Sequence, residues 1–257
     1  WLAIQFRESG WDLKRLLKGI VLSRTYRQSS VSSADAYKQD PHNQWLARGS
    51  RQRLDSRLLR DQALVLSGLL SRTIGGPPVA PYQPGGIWES MSLNKNHYMQ
   101  DSGEDLYRRS LYTVWRRVVA PANFFDVPSR QTCSVKQTRT STPLHALTTL
   151  NDTTYVEAAR VWAAKCVDAD NQLTDQEIMS RLFYAATARR PEPNELTSLQ
   201  RSLQIARERF QANPDQALSL IKVGEMQSSP SAPSSAKHAA WTTICLLVLN
   251  LDETLCK

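Results

Sequence analysis

The sequence predicts a mainly α-helical chain, folded as a single irregular domain over residues 1–257 with long ordered loops rich in Pro and Gly. Three observations predict this class. Apolar residues recur at three- and four-residue steps in most segments, which places them on one face of a helix. Capping residues precede several of these segments, and Gly or Pro follows them. No repeat of roughly 20–50 residues is visible, which argues against the common solenoids.

Two helices are predicted in the first third of the chain. Asp12 is expected to cap the first, whose apolar residues are Leu13, Leu16, Leu17, Ile20 and Val21. The polar stretch 29–43 has no period and is predicted to be a loop. The second helix follows Asp55 and is expected to end at the Gly-Gly-Pro-Pro run 75–78.

The middle of the chain combines long loops with one ambiguous element. Residues 75–86 are predicted to form an extended Pro/Gly loop. A helix is predicted from Leu106 to Val118, since two overlapping capping boxes precede it, Asp101 to Glu104 and Ser102 to Asp105. Alternation over 107–115 also suits a strand. Residues 121–141 are predicted to be another loop.

The rest of the chain has clearer helical signals. Thr142 and Pro143 are expected to start a short helix, and Asp152 to cap the next. Thr174 and Glu177 have the spacing of a capping box. Two further helices are expected before a flexible Ser/Pro-rich loop at 227–235, and an apolar helix over 236–257 is expected in the core.

Composition and charge exclude some classes of function. Apolar residues make up 41%, enough for a sizeable core, but the longest apolar run, 244–249, is far shorter than the roughly 20 residues of a membrane span. A net charge of +8 permits anionic partners, yet the basic residues are scattered, which argues against nucleic acid. The chain opens at Trp1 inside an apparent helix, so we expect it to be an N-terminally truncated fragment.

Metal and cofactor sites are not expected within this chain. The four histidines stand singly in sequence, and the four cysteines form neither C-x-x-C nor C-x-x-C-H. We expect the cysteines to be buried free thiols, although disulfide pairing stays open. His145 follows a capped helix start and is expected to be structural rather than a ligand or base.

One region could support catalysis. Glu89 and Asp101 lie near Trp88 and Tyr98, and two carboxylates beside aromatic rings can act as acid and base on a glycosidic bond. Helix capping by Asp101 and its neighbours is the alternative. The loop that contains Tyr82 and Trp88 suits either a binding surface or a cover for the core. No complete nucleophile or phosphate-binding motif is present in the sequence.

Eight ordered blocks resemble one protein family. The blocks are SRTYRQSS (23–30), RDQA (60–63), IGGPPV (74–79), YQP (82–84), IWE (87–89), LYRRSLYT (106–113), RTSTPL (139–144) and LNLDET (249–254). Together they resemble the C-terminal domain of planctomycete cytochrome c-type proteins, catalogued as domain of unknown function 1553. The chain differs from the pattern at His145, in the Ser-rich loop 227–235 and at Cys245 and Cys256.

The resemblance implies a place in a larger protein rather than a reaction. It implies an exported, extracytoplasmic polypeptide with haem c and a companion domain upstream of this chain. We expect the partners of this chain to be those upstream domains or an anionic polysaccharide. An accessory interaction module is therefore the leading hypothesis, and a hydrolase-like site at Trp88, Glu89, Asp101 and Arg108 is the alternative. The motif positions mark the expected binding residues, which are Tyr82, Trp88, Arg108, Arg109 and Arg139.

Overall fold

The computed structural model describes residues 1–90, 97–115, 120, 121, 123–127, 133, 139–168, 173–227 and 234–256. Twelve α-helices and two 3₁₀-helices lie within these ranges, with isolated β-bridges and no strand. The predicted mainly α-helical class is confirmed. Predictions for residues 128–132 and 134–138 of the loop 121–141, and for 228–233 of the flexible loop, fall outside the described residues.

The α-helices are α1 (Leu2–Glu8), α2 (Leu13–Val21), α3 (Ala34–Gln39), α4 (Ser56–Ser67), α5 (Ile87–Ser90), α6 (Pro143–Asn151), α7 (Thr153–Asp168), α8 (Asp175–Thr187), α9 (Pro193–Ala212), α10 (Pro214–Ile221), α11 (Ser235–Leu249) and α12 (Asp252–Leu255). The 3₁₀-helices span Gly103–Tyr107 and Ser110–Tyr112.

Backbone contacts divide the chain into two compact units, residues 1–52 and residues 53–256. The assignment of residues 1–257 to one domain stays a prediction.

The first unit contains α1, α2 and α3. Asp12 accepts a hydrogen bond from the N–H of Arg15, so the predicted cap of α2 is confirmed. The prediction of a loop over 29–43 is wrong in part, because Ser33 caps α3 within it. Asp40 then organises the following turn by accepting hydrogen bonds from the N–H groups of Gln44 and Trp45. These bonds, above all the one from Trp45, lower the pKa of Asp40.

The second unit is built around α11. This helix packs against α7, α9 and α10, and α4 also packs against α7. Trp241, Ile244 and Val248 of α11 are fully buried. A helix that is apolar on all sides needs neighbours on all sides to remove its surface from water. The C-terminal segment therefore forms the centre of the core of this unit.

Several predicted helix starts in the second unit are confirmed. Asp55 caps α4, and Thr174 forms a capping box with Glu177 at the start of α8. Asp152 accepts a hydrogen bond from Thr154 N–H at the start of α7. Pro143 occupies the first turn of α6, where its missing N–H leaves no hydrogen bond unmade.

Two predicted boundaries are wrong. The helix that follows Asp55 ends at Gly68 and not at Gly75, because Gly68 adopts a left-handed φ of 70° that closes the helix. The predicted helix from Leu106 to Val118 is also wrong over its described part. That part belongs to two short 3₁₀-helices separated by Arg108 and Arg109, and the backbone of Arg108 is extended. The predicted capping boxes are absent there too, since Ser102 makes no side-chain cap hydrogen bond.

Candidate functional site

The predicted site residues near α5 form two separate contacts. The rings of Trp88 and Tyr98 lie 5.1 Å apart, and Glu89 Oε1 lies 3.2 Å from His97 Nδ1. A hydrogen bond from its own backbone N–H lowers the pKa of Glu89, and the contact with His97 adds to this effect. The lowered pKa keeps Glu89 ionised, which suits an ion-pair partner better than a proton donor.

Asp101 is used to hold the neighbouring loop. Its Oδ2 accepts a hydrogen bond from the N–H of Ala80 over 2.5 Å, and its own N–H donates to the carbonyl oxygen of Ala80 over 2.9 Å. The Tyr98 hydroxyl donates to the next carbonyl, that of Pro81. The two carboxylates proposed as an acid–base pair, Glu89 and Asp101, are thus held by different partners.

The buried side chain of Arg108 holds the Pro/Gly-rich segment through hydrogen bonds. Its guanidinium donates to the carbonyl oxygens of Thr73, Gly75 and Pro77 and lies 4.0 Å from the centroid of the Tyr112 ring. The Tyr112 hydroxyl in turn accepts a hydrogen bond from the N–H of Gly75 over 2.9 Å. We call residues 73–82 the arginine-stapled loop. Arg108 is only 4% exposed, so its charge is directed at this loop rather than at solvent.

Arg60 and Asp61 hold the segment that carries Arg108. The fully buried Arg60 donates to the carbonyl oxygens of Leu106 and Arg108 over 2.7 and 2.9 Å. Asp61 Oδ1 accepts hydrogen bonds from both the N–H and the hydroxyl of Ser110. Burial lowers the pKa of Arg60, and the nearby Asp61 opposes that effect. The blocks RDQA (60–63) and LYRRSLYT (106–113) therefore meet in one structural joint.

The remaining predicted binding residues, Arg109 and Arg139, are both exposed. Arg109 is exposed, unlike its neighbour Arg108. Arg139 is also exposed and donates to the carbonyl oxygen of Arg53 over 2.9 Å. His145 is buried and stacks on Phe125 with ring centroids 4.0 Å apart, as expected for a structural histidine. The binding role assigned to Tyr82, Trp88, Arg108, Arg109 and Arg139 stays a prediction.

A buried polar cluster lies beneath these loops, and sequence reasoning did not anticipate it. Glu157 of α7 is fully buried, and its Oε1 accepts hydrogen bonds from the Tyr107 hydroxyl over 2.9 Å and from the N–H of Met226 over 2.7 Å. Arg160, one helical turn later, lies 3.8 Å from Glu157 and donates to the carbonyl oxygen of Val223. We call these residues the Glu157 cluster. The sequence signal for this cluster is the pair of opposite charges, Glu157 and Arg160, spaced i, i+3 among apolar residues of α7.

The Glu157 cluster fixes the segment that follows α10. His238 Nε2 lies 2.8 Å from the carbonyl oxygen of Arg160, and the Tyr82 hydroxyl accepts a hydrogen bond from Glu225 N–H. Burial raises the pKa of Tyr82 to about 12, and burial also raises the pKa of Tyr107. Both phenols therefore keep their protons at neutral pH and serve as hydrogen-bonding groups rather than nucleophiles.

An open cleft of about 930 Å³ adjoins the cluster. Its walls come from residues 68–73 after α4, from Gly103, Glu104 and Tyr107, and from residues 225–227. Within the described ranges, no group of three or more His, Cys, Asp or Glu side chains could hold a metal ion. In those same ranges, no helix combines the length and the apolar character that a bilayer crossing requires.

The four cysteines are free thiols, but they are not all buried. Cys245 is buried, Cys166 and Cys256 are partly buried, and Cys133 is exposed, so the expectation of four buried thiols is wrong. The segment predicted as one helix over 236–257 is divided, because α11 ends at Leu249 and the short α12 ends at Leu255. The backbone of Cys256 forms a β-bridge with Arg53. Burial raises the pKa of Cys166 to about 11.

Comparison with known proteins identifies a family but no characterised relative. No curated protein and no solved structure matches the chain. The model of one family, described as PSD1, protein of unknown function (DUF1553), matches residues 1–203. This match includes the arginine-stapled loop and the residues that hold it, and it leaves the block LNLDET (249–254) outside. The chain therefore belongs to the DUF1553 family.

Proposed function

We propose that this chain is a non-catalytic accessory module of an exported polypeptide that carries haem c in a preceding segment. In this proposal it docks against another domain of that polypeptide. The observation that carries the proposal is the use made of Arg108 and Asp101. Both residues were candidates for a hydrolase-like site. In the structure, both side chains form hydrogen bonds with the backbone of the arginine-stapled loop.

A rigid loop suits docking better than turnover by the same residues. Side chains that are already ordered lose little conformational entropy when a partner binds, so more of the contact energy appears as affinity. Ile74 and Leu111 are 85% and 76% exposed, and each adjoins a residue of the hydrogen-bonded pair Gly75 and Tyr112. Exposed Arg109 lies in the same segment. The arginine-stapled loop and the segment 106–113 that holds it thus offer apolar and cationic groups on a fixed backbone.

Export and haem attachment in this proposal rest on the resemblance of the sequence blocks to cytochrome c-type proteins. No residue of this chain is proposed as a haem ligand. Mass spectrometry of the natural polypeptide tests both points, because a haem-modified C-x-x-C-H peptide and a cleaved leader are the expected results. A polypeptide with neither would contradict this part of the proposal.

Docking is tested by cutting the natural polypeptide. A site for a specific protease is introduced just before Trp1, and the digested protein is passed over a gel-filtration column. We expect this chain to elute together with the preceding part, and to separate from it only in denaturant. Separation under native conditions would contradict the accessory-module proposal.

An anionic polysaccharide is a second partner that the exposed arginines could bind. The probe is dextran sulfate, titrated into the chain calorimetrically at increasing salt. Arg109→Glu is expected to weaken binding by several fold, and Ile205→Asp, a substitution on an exposed site of α9, serves as the control. Affinity that is unchanged by Arg109→Glu would remove this surface from the proposal.

A hydrolase-like site is the competing candidate function. The favouring observation is the Glu89–His97 contact beside the paired rings of Trp88 and Tyr98, since aromatic rings can support sugar rings next to an acid or base. The test is release of reducing ends from a panel of polysaccharides by the purified chain. Turnover that is lost in Glu89→Gln but kept in Glu104→Gln would favour this candidate over the accessory module.

A further inference from the structure

The helices α1 and α2 of the first unit carry apolar residues that are exposed. No residue of either helix is buried. Leu17 is 51% exposed, and Trp11, in the turn between the helices, is 66% exposed. Apolar residues at this spacing normally cover a core, and contiguous exposed apolar surface marks an interaction site. We call α1, α2 and their connecting turn the N-terminal hairpin.

The apolar surface of the N-terminal hairpin contains a groove. A concavity of about 350 Å³ lies between the two helices, with an apolar floor that includes Leu2, Phe6, Leu16 and Ile20. Polar groups of Gln5, Ser9 and Arg15 complete the lining. An apolar centre with a polar rim is the anatomy of a protein–protein contact, in which a projecting side chain fills the pocket. The edge-to-face contact of Phe6 with Trp11, 5.2 Å between centroids, helps to fix the shape.

Three kinds of partner could occupy this groove: a second copy of the chain, an anionic membrane or another protein domain. Charge and shape distinguish between them. Residues 1–27 contain six Lys and Arg but only two Asp and Glu. Two copies of the chain joined through this face would bring together the same positive excess, which disfavours a symmetric dimer. An anionic bilayer fits the charge and the exposed tryptophans, but a fluid surface offers no projecting group to fill the groove. A protein surface rimmed by carboxylates fits both the charge and the shape.

We infer that the N-terminal hairpin is the docking surface for a second folded protein domain. The partner inserts an apolar side chain into the groove between α1 and α2, and its carboxylates face the cations of α2, namely Lys14, Arg15 and Lys18. This inference rests on the proposed accessory role and names its contact surface. It adds a surface that is distinct in sequence from the arginine-stapled loop.

The test uses the protease-cut natural polypeptide described above, with substitutions in this chain. Leu17→Asp places a charge on the apolar face and is expected to weaken association of the two parts at least tenfold, as the loss of a central interface residue does. Lys18→Glu should weaken association less, and its effect should shrink at high salt. The matched control is Ile205→Asp, the same type of change on an exposed helical site of the second unit, which should leave association unchanged.

The outcomes separate this inference from the proposed function. Parts that stay together in the unsubstituted protein and equally in Leu17→Asp would overturn the inference while leaving the accessory role intact. Parts that separate without any substitution would overturn both. Two measurements on the 257-residue chain alone complete the test. Sedimentation as a dimer, or binding to phosphatidylglycerol vesicles, would overturn the inference if Leu17→Asp abolished it.

Discussion

Arg60 donates a hydrogen bond over 2.9 Å to the carbonyl oxygen of Arg108, and so one buried arginine positions the backbone of another. The guanidinium of Arg108 in turn donates hydrogen bonds to the carbonyl oxygens of Gly75 and Pro77, which holds the arginine-stapled loop in place. The fork of five N–H donors on each arginine allows several carbonyls to be held at once. Order in the arginine-stapled loop therefore originates in α4, at a distance along the chain.

Replacement of Arg108 should destabilise the protein although the residue lies among loops. Arg108→Ala leaves several carbonyl oxygens without their donor, and we expect the free energy of unfolding to fall by about 3 kcal/mol. Arg108→Lys should recover little, because an ammonium group cannot reproduce the planar fork or the stacking on Tyr112. Urea denaturation measures the change. Arg109→Ala is the control and should stay within about 0.5 kcal/mol of the natural chain.

Gly224 provides a second test, based on close packing. A Cβ at this residue would lie 2.2 Å from the carboxyl carbon of Glu157, and its φ is +90°. Gly224→Ala should therefore cost about 3 kcal/mol from overpacking and backbone strain together. Gly75→Ala has a similar φ of +83° with open space around it, so it should cost only about 1 kcal/mol. Equal losses in thermal unfolding would show that the Glu157 contact does not matter.

The parts of the fold that were predicted correctly depend on local interactions. Asp12, Asp55 and Thr174 bind N–H groups only two or three residues away, so the sequence pattern alone indicates them. The wrong prediction of a helix over the described residues 106–115 has the opposite cause. The carbonyl oxygens of Leu106 and Arg108 bind Arg60, which lies more than forty residues earlier, and that contact replaces the intrahelical bonds a helix would need.

The candidate site was predictable to a similar extent. Tyr82 and Arg108 could be marked because they stand in Pro-rich or Arg-rich blocks, and Asp101 because it is a carboxylate near aromatic residues. Their partners could not be marked, because Ala80, Gly75 and Glu225 contribute backbone groups that no residue type announces. Glu157 was missed for a related reason. A charged residue on a helix is normally solvated, whereas Glu157 is buried and the loop around Gly224 lies against it.

Asp152 should give the protein a stability component that decreases as pH rises. Burial raises the pKa of this carboxyl from its ordinary 3.8, although hydrogen bonds from Thr154 and Asn123 partly oppose the effect. The folded chain therefore holds the proton more tightly than the unfolded chain. Its contribution is fully present below pH 3.8 and is lost as pH rises through the raised folded-state pKa.

Urea midpoints measured across the acidic pH range test this component. Asp152→Asn should remove it, so that the difference between variant and natural chain changes with pH over that window. Asp215→Asn, at an exposed position of α10, is the control and should leave the profile parallel to that of the natural chain. Parallel profiles for Asp152→Asn as well would contradict the assignment.

The thiols should differ strongly in reactivity. Because thiolate is the reactive form, exposed Cys133 should react quickly with a disulfide reagent at pH 8. Cys166 should react slowly, since burial raises its pKa to about 11, and Cys245 should react only after unfolding. Cys133→Ser is expected to remove the fast phase seen by absorbance. A fast phase that survives this substitution would mean that one of the other three thiols is more accessible than its surroundings indicate.

The central position of α11 has a consequence for biosynthesis. A ribosome delivers residues from the N-terminal end, so α7, α9 and α10 emerge before the helix that fills the space among them. Until that helix leaves the exit tunnel, the earlier helices expose apolar surface, and the nascent second unit is vulnerable to proteases and aggregation. We therefore expect this unit to reach its native state only after α11 has left the exit tunnel, and chaperones to be most important before that point.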